Sequence, residues 1–587
     1  MKTISKLAGI IMAMFTFIQC SDPLDKENLA VITGDLVWSN PDIAEAYVND
    51  MYASFMPGFD VGEASNCDEG GVTNGNTLIS SYINGTFTYD TYNYYPYDEI
   101  RRINIFLANI DGATFEESIK KNLKGQALFW RAWAYFRMVR AYGGVPLILE
   151  PAEPTDTEAI FVPRNKTSEC YTQIVKDLND AIPLLDDKSD IGRIDKCVAL
   201  SFKGKVLLFK ASPQFNRNND AALWQEAYAA NRAALDFLDA QGKGLYENYK
   251  QIWLDEMNKE VIMVRRYSYP EAPNGGPQAS IRPLVYARGA VGGNRPSLEL
   301  VNAYPMKDGS RWDPATMDYR KLHQDRDARF YASIAYNGAE PYIVPMFGNE
   351  NLWTYWYDRD ENPETGINGK ESRADNQTDF GDVGENSYAH NSFYSSKMLD
   401  QTISRNNIND GSVDWIEIRY AEVLMNYAEA ANETGRTDEA LDVLYKIRQR
   451  AAIEPGDGRY GITATSVNEL RKVIQDERFV EFAFETKRFW DLRRWRIFAS
   501  TFDNMEGKTR HGLRIEYNGD VSQRPRLLTD INSVWDQFTV TAIPDIQPSN
   551  VLSEDKYSFF GIPLATLNRN SKIEQNNTWE GTFNPLD

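Results

Sequence analysis

Histidine is almost missing: three in 587 residues, His323, His390 and His511, far apart along the chain. Imidazole is the side chain that titrates nearest neutrality and the commonest metal ligand, so His-based catalysis and His-rich metal sites are disfavoured. Cysteine is nearly as scarce, with four in all. That is too few for a disulfide scaffold, and none is spaced C-x-x-C, which argues against a structural zinc. Basic charge is in deficit: 63 Lys and Arg face 84 Asp and Glu, for a formal charge of −21. A nucleic-acid partner wants a basic footprint that displaces counterions, so none is expected. Long apolar runs are lacking too. The one candidate, residues 7–18, is twelve residues long, short of the roughly 20 that a spanning helix needs. What the chain has in excess is aromatic surface: 13 Trp, 32 Tyr and 28 Phe, or 12% of the residues.

The apolar run gives an address. Lys2 and Lys6 precede it and Cys20 ends it. A basic flank and a short uncharged core make residues 1–19 a secretory signal peptide. The position of Cys20 resembles a bacterial lipoprotein processing site, at which the cysteine becomes the lipidated first residue. The tetrad Phe17-Ile18-Gln19-Cys20 departs from the commonest form of that site, which has Leu first and small residues before Cys. Residues 20–36 then read as a lipidated acidic tether, reaching at most about 50 Å when extended. Of the remaining cysteines, Cys170 falls on the apolar face of a helical stretch and Cys197 opens another. Buried free thiols at Cys67, Cys170 and Cys197 are expected.

The rest is mainly helical. Residues 124–149 carry Ala127, Trp130, Ala134, Met138 and Ala141 at spacings of three and four, one broad apolar face, and stop at Gly143-Gly144. Further helices are expected over 168–185, 197–211 and 221–240. Residues 415–434 and 437–452 form a pair across Gly435-Arg436, in which Ala428, Gly435, Ala440 and Leu444 follow a degenerate tetratricopeptide spacing. From about 259 to 401 the helical period is lost. Strands are expected at KEVIMVRRYSYPEAP and RDARFYASIAYNG, with a long polar excursion over 358–386. The expected architecture is a tetratricopeptide-like scaffold of helical pairs (37–258 and 402–587) carrying a strand- and loop-rich insertion (259–401), all one domain.

Five segments together resemble the SusD/RagB family of outer-membrane lipoproteins from Bacteroidetes. They are YDEIRRINIFLANID with QALFWRAWAYFRMVRAYGGVPL; VPRNKTSECYTQIVKDLNDAIPLL with GRIDKCVALSFKGKVLLFKASPQF; RPSLELVNAYPMKDG; IRYAEVLMNYAEAANETGRTDEALDVLYKIRQRAAI with VIQDERFVEFAFETKRFWDLRRW; and FFGIPLATLNRNSKIEQNNTWEG. The resemblance implies a tetratricopeptide-like fold, a lipid anchor in the outer membrane, display at the cell surface and capture of a nutrient for a SusC-like TonB-dependent transporter. It also implies ligand residues just before the helix that starts near Tyr97, and another near Asp68.

Sugar rings present apolar faces rimmed by hydroxyls, so a glycan site wants flat aromatic platforms with a few polar groups at the edge. The densest aromatic run, 81–100, supplies Tyr89, Tyr92, Tyr94 and Tyr95. The insertion supplies Tyr267, Tyr269, Tyr286, Arg288, Trp353 and Trp356. The plainer reading of any one of these rings is packing on the core.

An enzyme is not indicated and no cofactor is expected. Asp358, Asp360 and Asn362 begin like a calcium loop, but Pro363 replaces its glycine and Gly369 stands where the bidentate acid belongs. GGVTNG (70–75) lacks the Lys-Ser/Thr of a phosphate loop, and no G-x-S-x-G elbow occurs. ERFVEFAFETKRFWDLRRW reads as one helix with i,i+4 ion pairs. Three binding readings stay open: glycan capture, peptide capture within the same family, and a tetratricopeptide scaffold for protein partners.

Overall fold

The computed structural model describes residues 34–587, apart from 61, 72–79, 154, 283–294, 341–350, 360–368, 373–382, 385–390, 521–522, 524, 526–528 and 546–548. Helices of eight residues or more are numbered here: α1 (Pro41–Phe55), α2 (Tyr97–Asn109), α3 (Glu117–Tyr142), α4 (Thr167–Ala181), α5 (Lys196–Ala211), α6 (Ala221–Ala240), α7 (Tyr420–Glu433), α8 (Thr437–Arg450), α9 (Val467–Glu481) and α10 (Arg488–Trp495). Their starts follow local chemistry. The side chains of Asn40, Asp195 and Asp220 accept from the first free backbone N–H groups of α1, α5 and α6. Ser466 and Glu469 form a reciprocal capping box at α9.

The helices pack as neighbours: α3 on α4, α5 on α6, α6 on α7, and α7 on α8 and α9. This is the tetratricopeptide-like scaffold expected from the spacing. Small residues permit the close approach: a Cβ on Gly204 of α5 would lie 2.3 Å from Asn231 Oδ1 of α6. The Asn231 amide donates back to the Gly204 carbonyl at 3.1 Å. Helix α3 is apolar on nearly all sides because α1, α2 and α4 surround it. Arg131 on this helix is held by both oxygens of Asp177 on α4, at 2.7 and 2.8 Å.

Strands are short: β1 (Val261–Arg265), β2 (Ile334–Ala335), β3 (Trp356–Arg359), β4 (Gly369–Ser372), β5 (Val383–Gly384), β6 (Tyr394–Ser395), β7 (Trp415–Arg419), β8 (His511–Tyr517) and β9 (Phe538–Pro544). β1 pairs antiparallel with β7 and β2 with β6, while the largest sheet runs β5-β4-β3-β8-β9. In it β3 and β8 are parallel and the other neighbours antiparallel.

Four local expectations are corrected. Residues 415–419 are a strand, not the first turn of a helix, because β1 offers them a ladder. In RDARFYASIAYNG, Ala328–Ser333 is helical and only Ile334–Ala335 is extended, since Asp327 caps the backbone at Arg329 and Phe330. ERFVEFAFETKRFWDLRRW is broken between α9 and α10, where Phe484 and Thr486 take positive φ. Two of its arginines reach buried acids across the fold, Arg488 to Asp68 at 2.6 Å and Arg494 to Glu429 at 2.5 Å, while Arg478 pairs with Asp491 across the break at 2.8 Å. Finally, β8 and β9 lie in the stretch read as helical scaffold, and through β3 they bind it to the insertion.

The main apolar cluster runs from Val37 to Ile573 and gathers the helical pairs with both chain ends. A second cluster joins the insertion to β8 and β9 around Trp353, Tyr355 and Phe538. Between insertion and scaffold lies a buried ionic network. Arg419 on β7 binds Glu260, Glu481 and Glu485. Arg329 binds Asp327, Glu477 and Glu481, and Lys397 binds Glu485. Insertion and scaffold thus share their counterions.

Candidate functional site

A crevice of about 360 Å³ opens where α3, α5, the β7–α7 junction and α10 meet the 57–63 loop. That is within the size range of small-molecule sites, roughly 300–1,000 Å³. On α3, Trp133, Phe136, Arg137 and Arg140 line it, at i, i+3, i+4 and i+7, so one helical face is presented to the cavity. On α5, Phe202, Lys205 and Phe209 follow the same period. Tyr92 and Trp490 complete the aromatic wall, with ring centroids 5.8 Å apart.

The charges divide into two sets. Across one wall the cations are paired. Lys205 lies 3.0 Å from Glu422, and Lys487 lies 3.4 Å from Glu422 and 3.6 Å from Glu417. Burial works against the Glu422 carboxylate, but the two lysines outweigh it and hold the group at about 2. Arg478 is tied to Asp491. Across the other wall the cations have no acid. Arg137 sits over the Tyr94 ring at 4.1 Å and Arg140 over the Trp490 ring at 3.7 Å. Among the described residues neither forms a salt bridge, and Arg140 Nε is buried without a hydrogen-bond partner. Burial pulls the Arg140 guanidinium below its usual range. Glu63, which accepts from Trp490 Nε1 at 2.9 Å, is pushed up to about 8 by burial, with Asp60 adding and Arg140 opposing. Burial thus favours its neutral form, and Glu417 is a second carboxylate whose field reaches both arginines. The arrangement can bind: stacking faces adjoin fixed donors. Its ionised buried acids are held in ion pairs rather than free to move protons.

The expected site residues scatter around this crevice. Tyr92 lines it. Tyr94 and Tyr95 are half-buried and pack around Tyr142, whose hydroxyl takes the Tyr94 N–H at 3.1 Å and donates to the Tyr92 carbonyl at 2.8 Å. They hold the wall rather than form an open platform. Tyr267 stands at the mouth: a Cβ on Gly58 would come within 3.0 Å of its hydroxyl. Tyr89 and Tyr269 are exposed, Tyr269 at 57%. Two expectations are corrected. Trp353 is 0% exposed and stacks on Phe538 of β9 at 6.2 Å, so it is a core residue out of a ligand's reach. Asp68 is buried, with both oxygens held by Arg488 at 2.6 and 2.9 Å. Tyr286, Arg288 and the side chain of Trp356 lie outside the described residues. Gly71 and Arg295 are nevertheless joined, Gly71 N donating to the Arg295 carbonyl at 2.9 Å.

Sequence reasoning did not select Arg137, Arg140, Glu63 or Trp490. A signal existed for the first two: FRMVR puts two arginines three apart among apolar residues near the end of the helix, a placement that costs free energy unless each finds a partner.

Comparison with known proteins now fits this geometry. The model of the SusD family matches residues 251–579, and a second model, described as starch-binding and associating with the outer membrane, matches 61–208. A curated relative, SusD-like protein P2 of Formosa agariphila, is 23% identical over 511 residues, 84% of this chain and 91% of its own. A solved SusD-like protein from Bacteroides fragilis superposes with a TM-score of 0.70 at 24% identity, covering 93% of this chain and 98% of its own. A solved SusD-like carbohydrate binding protein from the same species gives 0.67 at 20% identity, covering 91% and 99%. The tetratricopeptide-like helical fold and the family model over more than half of the chain lead to one conclusion: the chain belongs to the SusD family.

Proposed function

We propose that this protein is a surface lipoprotein, anchored through Cys20, that captures oligo- or polysaccharide and delivers it to a SusC-like TonB-dependent transporter, for which it serves as the lid. The observation that carries the reading is the crevice: the Tyr92 and Trp490 rings stand beside the Arg137 and Arg140 donors, which is what a sugar ring with its hydroxyl rim asks for. The family model described as starch-binding supports the ligand class, as does the carbohydrate-binding relative. Tyr267, beside Gly58 of the crevice lining, is proposed as a further contact, together with the exposed rings of Tyr89 and Tyr269. The protein binds and does not catalyse. It depends on a partner for import, because no helix among the described residues is long and apolar enough to cross a membrane. A stable lid would bury more than about 1,000 Å² against its barrel.

The test is calorimetric titration of the purified protein with plant, host and microbial glycans and with peptides. Glycan dissociation constants between micromolar and millimolar are expected, about −8 to −4 kcal/mol. Binding of peptides with no response to any glycan would overturn the reading. Purification of a tagged protein from its native outer membrane in mild detergent tests the partner; recovery without a barrel protein would count against the lid.

A further inference from the structure

We infer that the crevice selects an anionic group on the glycan, a carboxylate or a sulfate ester, and binds it between Arg137 and Arg140. The inference rests on the glycan-capture reading and specifies its ligand. It starts from an imbalance. The chain as a whole is strongly acidic, at −21. Elsewhere in the crevice each buried cation has its acid, as in Lys205 with Glu422, Lys487 with Glu417 and Glu422, and Arg478 with Asp491. Only the α3 arginines stand apart, on one edge of one helix, three residues from each other.

Three nearby acids could in principle serve them, and none forms an ion pair with either: Glu417, whose field reaches both arginines, is held by Lys205 and Lys487. Glu63 is spent on the Trp490 indole, and burial favours its neutral form. Asp60 is exposed at the rim and forms no salt bridge with either arginine. The guanidinium carbons instead sit over the Tyr94 and Trp490 rings, 4.1 and 3.7 Å from the centroids, and Arg137 also lies against the Tyr92 hydroxyl. Stacking fixes the plane of a guanidinium while leaving its in-plane N–H groups free to aim at a ligand, and a planar fork suits two-point recognition of carboxylate or sulfate oxygens. Arg140 Nε, buried and unbonded, is one such donor. A buried unpaired cation is costly, and a bound anion is the partner that relieves it. An anion approaching this acidic surface is repelled except where uncompensated cations set the local potential. The same crevice offers the Tyr92 ring to the sugar that carries the anion, the Trp490 ring being covered by Arg140 and Arg493 at 3.7 and 4.5 Å.

The experiment is calorimetry on the purified full-length protein in detergent, with four oligosaccharide probes of matched length: oligogalacturonides, their methyl esters, sulfated galactan fragments and neutral galactan fragments. The expected result is that at least one anionic probe binds roughly ten- to a hundredfold tighter than its neutral counterpart. Which probe it is separates the carboxylate from the sulfate. The preference is expected to weaken in high salt and to collapse in Arg140→Gln and in Arg137→Gln, each checked for an unchanged circular dichroism spectrum. If one variant fails to fold, the other and the salt dependence of the parent decide. Equal binding of charged and neutral probes overturns this inference and leaves glycan capture standing. A preference that survives both substitutions overturns the placement. Failure of every glycan, charged or neutral, sinks the capture reading itself and this inference with it.

Discussion

Replacing Arg419 by methionine tests the buried network that joins β7, α9 and the insertion. Arg419 is 1% exposed and makes five charge-assisted bonds: Nη1 to Glu260 and Glu481 at 2.7 Å each, Nε and Nη2 to Glu485 at 2.8 Å each, and Nη2 to the Glu481 carbonyl at 2.8 Å. Methionine fills much of the space but leaves three buried carboxylates with one cation fewer. Each keeps a partner: Glu260 and Glu481 keep Arg450, Glu481 also keeps Arg329, and Glu485 keeps Lys397. The loss is therefore that of one broken buried pair, about 3–5 kcal/mol, rather than the sum of five bonds. Lysine keeps the charge without the fork and is expected to lose about half as much. The assay is urea unfolding followed by circular dichroism, read as a drop in midpoint at constant slope. The pH dependence has a definite sign. Burial opposes ionisation of Glu481, but Arg450, Arg419 and Arg329 overcome it and hold the carboxyl well below its usual range; Glu485 is lowered likewise, with Arg419 and Lys397 outweighing burial. Such groups contribute stability above the unfolded carboxylate pKa of about 4.3, and that contribution fades as pH falls through the folded value. The gap between parent and Arg419→Met is expected to be widest at pH 7 and to narrow below about pH 4. A midpoint shift worth less than about 1 kcal/mol at pH 7, or a gap that widens toward acid, refutes the reasoning.

Three further expectations follow from burial and position. Glu69 accepts the Phe484 N–H at 2.7 Å and is pushed up to about 8 by burial, so the folded state carries an extra proton from about pH 4 to 8 and loses stability as pH rises there. Glu69→Gln is expected to gain up to roughly 3 kcal/mol at pH 7 and nothing at pH 4, and an equal shift at both would contradict this. Cys67, Cys170 and Cys197 are free and buried, with Cys170 pushed up to about 11 and Cys197 to about 12 by burial. A thiol reagent at pH 8 is expected to label none of them in the native protein and all three in denaturant; stoichiometric native labelling would show the packing to be wrong. Cys20→Ala is expected to move the protein out of the membrane fraction, since stable anchoring needs more than one acyl chain and a processed lipoprotein cysteine supplies them. Unchanged fractionation would remove the anchor.

The helical pairs were legible because their information is local: a period of three and four, a Gly-Gly stop, a Ser-x-x-Glu start. The strand at 261–265 was legible for the same reason. FTVTAI and GLRIEY alternate as strands do, yet they were overlooked. Their pairing with each other and with β3 is a long-range fact that no window along the chain contains. The site was less legible still. Whether a tryptophan meets a ligand or a sheet depends on what folds back onto it. For Trp353 that is Phe538 on β9, and for Asp68 it is Arg488, 420 residues away. Tyr92, Tyr94 and Tyr95 look alike in sequence, but Tyr95 packs on Tyr142 and Tyr94 under Arg137, while Tyr92, also against Tyr142, is the one that lines the crevice.

The shared counterions between insertion and scaffold have a mechanical consequence. For the insertion to swing on its own, Arg329 would have to leave Glu477 and Glu481, and Lys397 would have to leave Glu485, all in a setting where water cannot replace the lost partners at once. Each separation costs several times thermal energy, and they would have to occur together. The sheet adds a second bond, because β3 of the insertion is stitched to β8. An internal hinge at that seam is thereby locked.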